Sequence, residues 1–335
     1  MNAIEARGVE LTYSDGTRAV RGIDLEIPEG EFFGFLGPNG AGKTTAIKTL
    51  VTLLRPTAGS VTVNGFDVVK EARAVRSSIG YMAQKTSIDR ELTARENVRF
   101  ASEAYGVPRS ERAGRIDELL DLVDLADVAD KRADDFSGGM KKRLDVATAL
   151  VHEPPLVFLD EPTTGLDPKA RIRLWEYFRE INEQGTTVFL TTQYLEEADE
   201  LCDRLSVIQD GKIVATDSPE DLKSQVGGDV LDITIEDSTE EERARAQRVA
   251  RESGLLEEGT IEITDEGIAI ASEHARRAGT DLLVALRDKD FIVTGFDVRS
   301  PTLDDVFLAI TGEHATDEEA TVNEQTDTAE AEVVR

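Results

Sequence analysis

Nine residues, Gly37-Pro38-Asn39-Gly40-Ala41-Gly42-Lys43-Thr44-Thr45, restrict this chain more than any other stretch. They follow the spacing Gly-x-x-x-x-Gly-Lys-[Ser/Thr]. Before them, Phe32 to Leu36 is a short apolar run, as in a parallel strand buried on both faces. After them, Ile47, Leu50, Val51 and Leu54 recur at helical spacing and predict a helix from Thr45 to Leu54. Strand, glycine loop and helix together form the setting in which such a loop wraps a phosphate chain. Glycines let backbone N–H groups turn inward where side chains would obstruct them. The helix N-terminus adds partial positive charge. Lys43 is then placed to reach the β- and γ-phosphates, and the Thr44 hydroxyl to ligate Mg²⁺.

The remaining segments supply an α/β frame. Ile4, Val9 and Leu11, then Ile23, Leu25 and Ile27, predict two strands either side of a turn at Ser14-Asp15-Gly16. Tyr13 precedes that turn, where it can pack against the fold or stack on an adenine ring. Val61 to Val63 is a strand closed by Asn64-Gly65, and Ile79 to Met82 is another, ending at Gln84. Residues 93 to 151 carry helical patterns without strands. Thr93 and Glu96 predict a capping box for a helix from Ala94 to Tyr105, and Ser110 opens a second helix. The insertion ends at Ser137-Gly138-Gly139, which is either an ordinary helix start or a second anion-binding arrangement.

Leu156 to Leu159 is apolar and runs into Asp160 and Glu161. Ligands of parallel α/β sheets sit beyond the carboxyl ends of the strands. Asp160 is therefore placed to hold Mg²⁺ through water, and Glu161 to act as base toward a water attacking the γ-phosphate. Asp167-Pro168 leads into a helix through Ile181. Val188 to Thr192 is a strand ending at Gln193, and Asp210-Gly211 joins a hairpin.

Together these motifs resemble the ATP-binding subunit of ABC transporters, over residues 3 to about 225. The fold this implies is an ABC-type P-loop NTPase with a helical insertion at about 88–150. Gly37–Thr45 is similar to the Walker A loop and Leu156–Glu161 to the Walker B strand. Phe136–Met140 resembles the family signature, Gln84 the Q-loop glutamine at the metal, and Asp167 the D-loop. Drug-resistance exporters of the daunorubicin type share a signature ending in methionine. They also share text like Thr191-Thr-Gln-Tyr-Leu-Glu-Glu-Ala-Asp199 and Pro301-Thr-Leu-Asp-Asp-Val-Phe307. Two departures stand out. Phe136 and Met140 replace the usual leucine and glutamine. Gln193 stands where the broad family has a switch histidine; its amide can donate to the γ-phosphate but cannot accept a proton near neutral pH. The resemblance implies a head-to-tail dimer, in which the Walker A loop of one copy and Ser137-Gly138-Gly139 of another enclose ATP. With one copy of each motif per chain, a homodimer driving a separate membrane permease is expected. A soluble ATPase of this fold, uncoupled from transport, is the alternative.

The chain holds 67 acidic and 38 basic side chains, a net charge of −29. Such a field repels nucleic-acid phosphates, so no nucleic-acid partner is expected. The excess fits either an acidic regulatory surface or adaptation to very high salt, the second being favoured. A single cysteine, Cys202, excludes an internal disulfide and reads as a core residue. No run of 18 apolar residues and no secretory signal occurs, so the chain is expected in the cytoplasm, docked on its permease.

Residues 226 to 312 form a second unit, whose β-α-β-β-α-β order suggests a small ferredoxin-like α+β module. Ser238 and Glu241 predict the cap of its first helix. The unit reads as a dimerisation or regulatory module, or as packing onto the ATPase. Residues 313–335 are acidic and poor in large apolar residues, and are expected to be disordered.

Overall fold

The computed structural model describes residues 1–225, 228–236, 239–254, 260–272 and 275–311. The chain opens with β1 (Asn2–Thr12) and β2 (Arg18–Pro28), then β3 (Phe32–Leu36) and α1 (Lys43–Leu50). There follow β4 (Ala58–Val63), β5 (Phe66–Asp67), α2 (Ala72–Ser77) and β6 (Ile79–Met82). The helical insertion comprises α3 (Ala94–Ala104), α4 (Arg112–Leu122), two 3-10 turns and α5 (Gly138–Ala149). The chain then returns to the sheet with β7 (Leu156–Asp160), α6 (Pro168–Glu183), β8 (Thr187–Thr192) and α7 (Leu195–Leu201). A hairpin of β9 (Arg204–Gln209) and β10 (Lys212–Asp217) precedes α8 (Pro219–Gln225).

Two sheets organise this part. An antiparallel sheet has the order β2-β1-β4-β5, and a six-stranded sheet the order β10-β9-β3-β8-β7-β6. The latter is parallel except for β10. Its central strands are buried on both faces, which explains their unbroken apolar runs. Phe33, Phe35, Phe158 and Phe189 point into a core shared with β1, β2, β4 and α1. Phe32, Leu36, Val157, Leu159, Val188 and Leu190 point the other way, into a core shared with the helices of the insertion and with α6 and α7.

The last unit contains β11 (Asp229–Ile235), α9 (Glu240–Glu252), β12 (Thr260–Ile263), β13 (Gly267–Ser272), α10 (Ala275–Arg287) and β14 (Val293–Arg299). Its sheet is antiparallel throughout, in the order β12-β13-β11-β14, a split β-α-β pattern. The chain then turns back as α11 (Leu303–Thr311). Leu303, Val306 and Phe307 enter the same core as α7 and α8. The Pro301–Phe307 motif has a structural explanation. Thr302 N donates to Asp305 Oδ2 (2.7 Å) and Asp305 N to Thr302 Oγ1 (3.4 Å), closing the start of α11. Arg299 grips both Asp305 oxygens, at 2.6 and 2.9 Å, while its Nε donates to Asp232 (2.7 Å).

Three local expectations change. Helix α1 ends at Leu50, because Thr52 turns left-handed (φ 68) and Leu53 and Leu54 donate back to Lys48 O. Ser110 does not cap α4; the N-cap is Glu111, with no side-chain hydrogen bond, and Pro108 O takes the Glu111 and Arg112 N–H groups. The capping box of α9 is Thr239 with Glu242; Ser238 lies outside the described residues, as do residues 313–335. Cys202 is buried, close enough that a Cβ on Gly34 would meet its Sγ at 2.8 Å. His152 is packed, stacking on Tyr105 with its Nε2 3.1 Å from Ile79 O. His274 and His314 lie outside the described residues. Among the described residues no helix is long and apolar enough to cross a membrane.

Candidate active site

The register of the parallel sheet assembles the site. Leu36 pairs with Thr192, Asp160 with Thr191, and Met82 with Leu159. The glycine loop after β3, Gln193 after β8, Asp160 and Glu161 at the end of β7, and Gln84 after β6 therefore emerge along one carboxyl edge.

Close backbone approach fixes the loop's composition. A Cβ on Gly37 would lie 2.3 Å from Ile208 O, and one on Gly42 (φ +108) 2.4 Å from Ala19 O. Gly42 precedes α1 in a left-handed conformation that lets the following N–H groups face outward. Asn39 and Gly40 form the exposed crest, Pro38 O accepts from Ala41 N (3.2 Å), and Ala41 O accepts from Gly211 N (3.0 Å). Lys43 is buried, and its ammonium donates to Gly37 O and Pro38 O. Burial pushes its pKa down, and the charges of Glu161 and Asp160 only partly restore it. Thr44 is half-buried in the first turn of α1. The Tyr13 hydroxyl lies 3.0 Å from Thr45 Oγ1, so this aromatic flanks the loop's far end.

Asp160 is almost wholly buried. Its Oδ1 accepts from Thr191 Oγ1 at 2.7 Å, whereas its Oδ2 is buried with no hydrogen-bond partner. Burial raises its pKa, since the charged form is poorly solvated. An orphaned, anionic oxygen beside Lys43 and the loop is what a divalent cation satisfies, so the donor set fits Mg²⁺.

Glu161 has a left-handed backbone (φ 52), which costs a non-glycine residue about 1–3 kcal/mol. Four contacts hold it there, one of them a local turn in which Thr164 N donates to the Glu161 carbonyl (3.4 Å). Its N–H donates to Thr191 O (3.0 Å), its carbonyl accepts from Lys142 Nζ (3.0 Å), and its Oε2 accepts from Gln84 Nε2 (2.9 Å). Gln193 is half-buried just beyond β8, ahead of a turn in which Tyr194 N donates to Thr192 Oγ1 (2.9 Å).

Ser137 and Asp167 make their hydrogen bonds within their own helix starts. Ser137 Oγ accepts from Met140 N (3.2 Å) and Asp167 Oδ1 from Ala170 N (3.0 Å). Gly139 is packed close to Leu166, and Gly138 is open, with nothing near its Cβ position. The fold thus sets Tyr13 against the loop, Gln84 against Glu161 and Lys43 within electrostatic reach of both carboxylates, while Ser137 caps α5, which Gly138 and Gly139 open, and Asp167 caps α6.

Two participants escape sequence reasoning. Lys142 was visible only as part of a basic run opening a helix. Glu197 is fully buried, accepts from Trp175 Nε1 (2.8 Å), and has its pKa raised by burial. In the sequence it lies within Thr191–Asp199, with nothing to set it apart from Glu196.

Residues 20–164 match the family model described as ABC transporter, and residues 218–311 match that of the ATP-binding protein DrrA1-3-like C-terminal domain. The daunorubicin resistance ATP-binding protein DrrA3 of Streptomyces coeruleorubidus is 42% identical over 93% of this chain and 96% of its own length. The daunorubicin/doxorubicin resistance ATP-binding protein DrrA of Streptomyces peucetius is 42% identical over 94% of both. The linearmycin resistance ATP-binding protein LnrL of Bacillus subtilis is 34% identical over 92% and 98%. Among solved structures, an ATP-binding subunit of an ABC transporter superposes with a TM-score of 0.62 at 30% identity, over 67% of this chain and 92% of that one. A dimeric cassette in a post-hydrolysis state, bound to ADP and phosphate, gives 0.61 at 28% identity over 64% and 98%. With its glycine loop and paired carboxylates on one sheet edge, this chain belongs to the ABC transporter family as one of its ATP-hydrolysing subunits.

Proposed function

We propose that the chain energises the export of drugs or other small hydrophobic compounds through a separate membrane permease. The observation that carries this is end-to-end likeness to drug-resistance ATP-binding proteins, C-terminal unit included, combined with an intact hydrolytic edge. The glycine loop, from Gly37 to Thr45, binds the triphosphate through its N–H groups, and Lys43 exchanges its loop carbonyls for phosphate oxygens. Tyr13 stacks on the adenine. Thr44, Asp160 and Gln84 hold Mg²⁺, which when bound neutralises charge on the phosphates. Glu161 takes the proton of the attacking water, oriented by the Gln84 amide. Gln193 donates a hydrogen bond toward the γ-phosphate and leaves the base role to Glu161.

A second copy supplies Ser137, Gly138, Gly139 and Asp167 across a two-fold interface, closing on ATP and opening after hydrolysis. The chain sits on the cytoplasmic face through its permease. Its acidic excess, present in both halves, suits a working environment of high salt. Purification of the tagged chain from gently solubilised membranes of its native host, at high salt with ATP, tests the assignment. A stoichiometric multi-spanning protein is expected to co-purify. Recovery of the active ATPase alone, or with soluble partners only, would refute the transport reading.

A further inference from the structure

Lys142 lies on the second turn of α5, the helix that Ser137 caps and Gly138 and Gly139 open. Its side chain runs back to the end of β7, where Nζ donates to the Glu161 carbonyl at 3.0 Å. The ammonium is partly buried, and the charges of Glu161, Glu197, Asp145 and Asp160 all act on it. These come from β7, from the residue after it, from α7 and from α5 itself. Lys142 is thus a cation set among four carboxylates, two of which it shares with Lys43. Burial still outweighs their attraction and holds its pKa below the ordinary lysine value.

The carbonyl it grips belongs to the residue with the left-handed backbone. Of the four contacts on Glu161, the one to Thr191 is part of the sheet, which does not deform easily, and the one from Thr164 N is a local turn that shares the carbonyl with Lys142. The Gln84 contact fixes the carboxylate. Among the described residues, Lys142 alone ties Glu161 to α5.

The geometry points to Lys142 as a positioning residue for Glu161: it links the Ser137-Gly138-Gly139 helix to the base of the same chain. The inference rests on Glu161 being the base and on Ser137-Gly138-Gly139 facing ATP held by the second copy. Under that arrangement, α5 senses one ATP and Glu161 acts on the other. Lys142 then carries the docking of one site to the chemistry of its neighbour. The coupling is a displacement of a strained backbone rather than a new contact with substrate.

The experiment measures ATP hydrolysis and nucleotide affinity on the full chain with Mg²⁺ and ATP. Lys142→Met is expected to lower kcat about tenfold while KM and the equilibrium affinity for ATP stay within about twofold. Lys142→Arg, which keeps a donor and a charge, should recover most of the loss. The decisive comparison is single-turnover hydrolysis, followed over hours, in a Glu161→Gln background. There Lys142→Met should cost almost nothing further, because its effect passes through the missing carboxylate. An equal fold-loss in both backgrounds, or a fall in ATP affinity matching the fall in kcat, overturns the positioning role. If Glu161→Gln alone turns over near the wild-type rate, the base assignment fails instead, and that result is separate from the Lys142 comparison.

Discussion

The two halves of this molecule treat buried charge in opposite ways. The ATPase half buries Lys43, Asp145, Asp160, Glu161 and Glu197, whereas Ser272 is the only buried polar residue among the described residues of the C-terminal half. Burial raises the pKa of Asp145, Asp160 and Glu197. In the other half Asp305 also feels burial, but its hydrogen bonds with Arg299 and Thr302 outweigh it and hold its pKa below the usual carboxylate range. The contrast teaches what each half is built for. One retains buried charges at a cost to its fold: Asp145 and Glu197 are bonded by Ser87 and Trp175, whereas Asp160 keeps an oxygen with no hydrogen-bond partner. The other pairs its charges at once, and so serves to hold elements in place.

The strongest way to break this comparison is to remove the charges and watch function. Glu161→Gln should reduce hydrolysis by about 10²–10⁴-fold and accumulate closed dimer with ATP, as seen by size exclusion. Turnover close to wild type would end the base assignment. Lys43→Ala should cost about 10²–10³-fold in hydrolysis without lowering thermal stability, since it deletes a buried cation; a large drop in melting temperature would contradict this. In the C-terminal half the pattern should invert. Phe307→Ala should destabilise the chain by about 3–5 kcal/mol in urea unfolding, through the cavity it leaves against α7 and α8. Thr239→Ala should cost about 1 kcal/mol through loss of the α9 capping box, with hydrolysis unchanged.

Acid sharpens the same contrast. A carboxyl with a raised folded-state pKa binds protons more readily when folded, so its contribution is present below the unfolded pKa and lost as pH rises through the folded one. Asp145, Asp160 and Glu197 should therefore make the ATPase half relatively more tolerant of mild acid. Asp305 has the opposite sign: its contribution is present above its unfolded pKa, about 3.9, and fades as pH falls through its lower folded value. The single tryptophan, Trp175, bonded to Glu197, reports on the first half by fluorescence. Hydrogen exchange of β11 and β14 reports on the second. If both probes lose stability in parallel from pH 6 to 3, the distinction is wrong.

The fold and much of the site were legible because their signals are local. Glycine spacing, an apolar run ending in two acids, and Asn-Gly or Asp-Gly turns each encode their conformation within a few residues. What escaped was either degenerate or distant. Ser238-x-x-Glu241 and Thr239-x-x-Glu242 are the same pattern displaced by one residue, so periodicity could not choose between them. Asp167-Pro168 marks a helix start in the sequence, but that the Asp167 side chain caps α6 depends on its rotamer. The Lys142–Glu161 and Trp175–Glu197 contacts span 19 and 22 residues. They depend on how α5 and α6 lie against the sheet, which no hydrophobic period specifies. Neither did any pattern forecast that Leu303, Val306 and Phe307 would enter the ATPase core rather than that of their own unit.

That last placement bears on how the chain is made. A ribosome that has completed residue 225 has produced the glycine loop, both carboxylates and the Ser137 helix, yet three apolar side chains of the surrounding core are still unsynthesised. Domains usually fold as they emerge. Here the nucleotide-binding half reaches its final packing only once Phe307 has been added. Translation order thus delays a finished ATPase until the accessory unit that accompanies it has also been built.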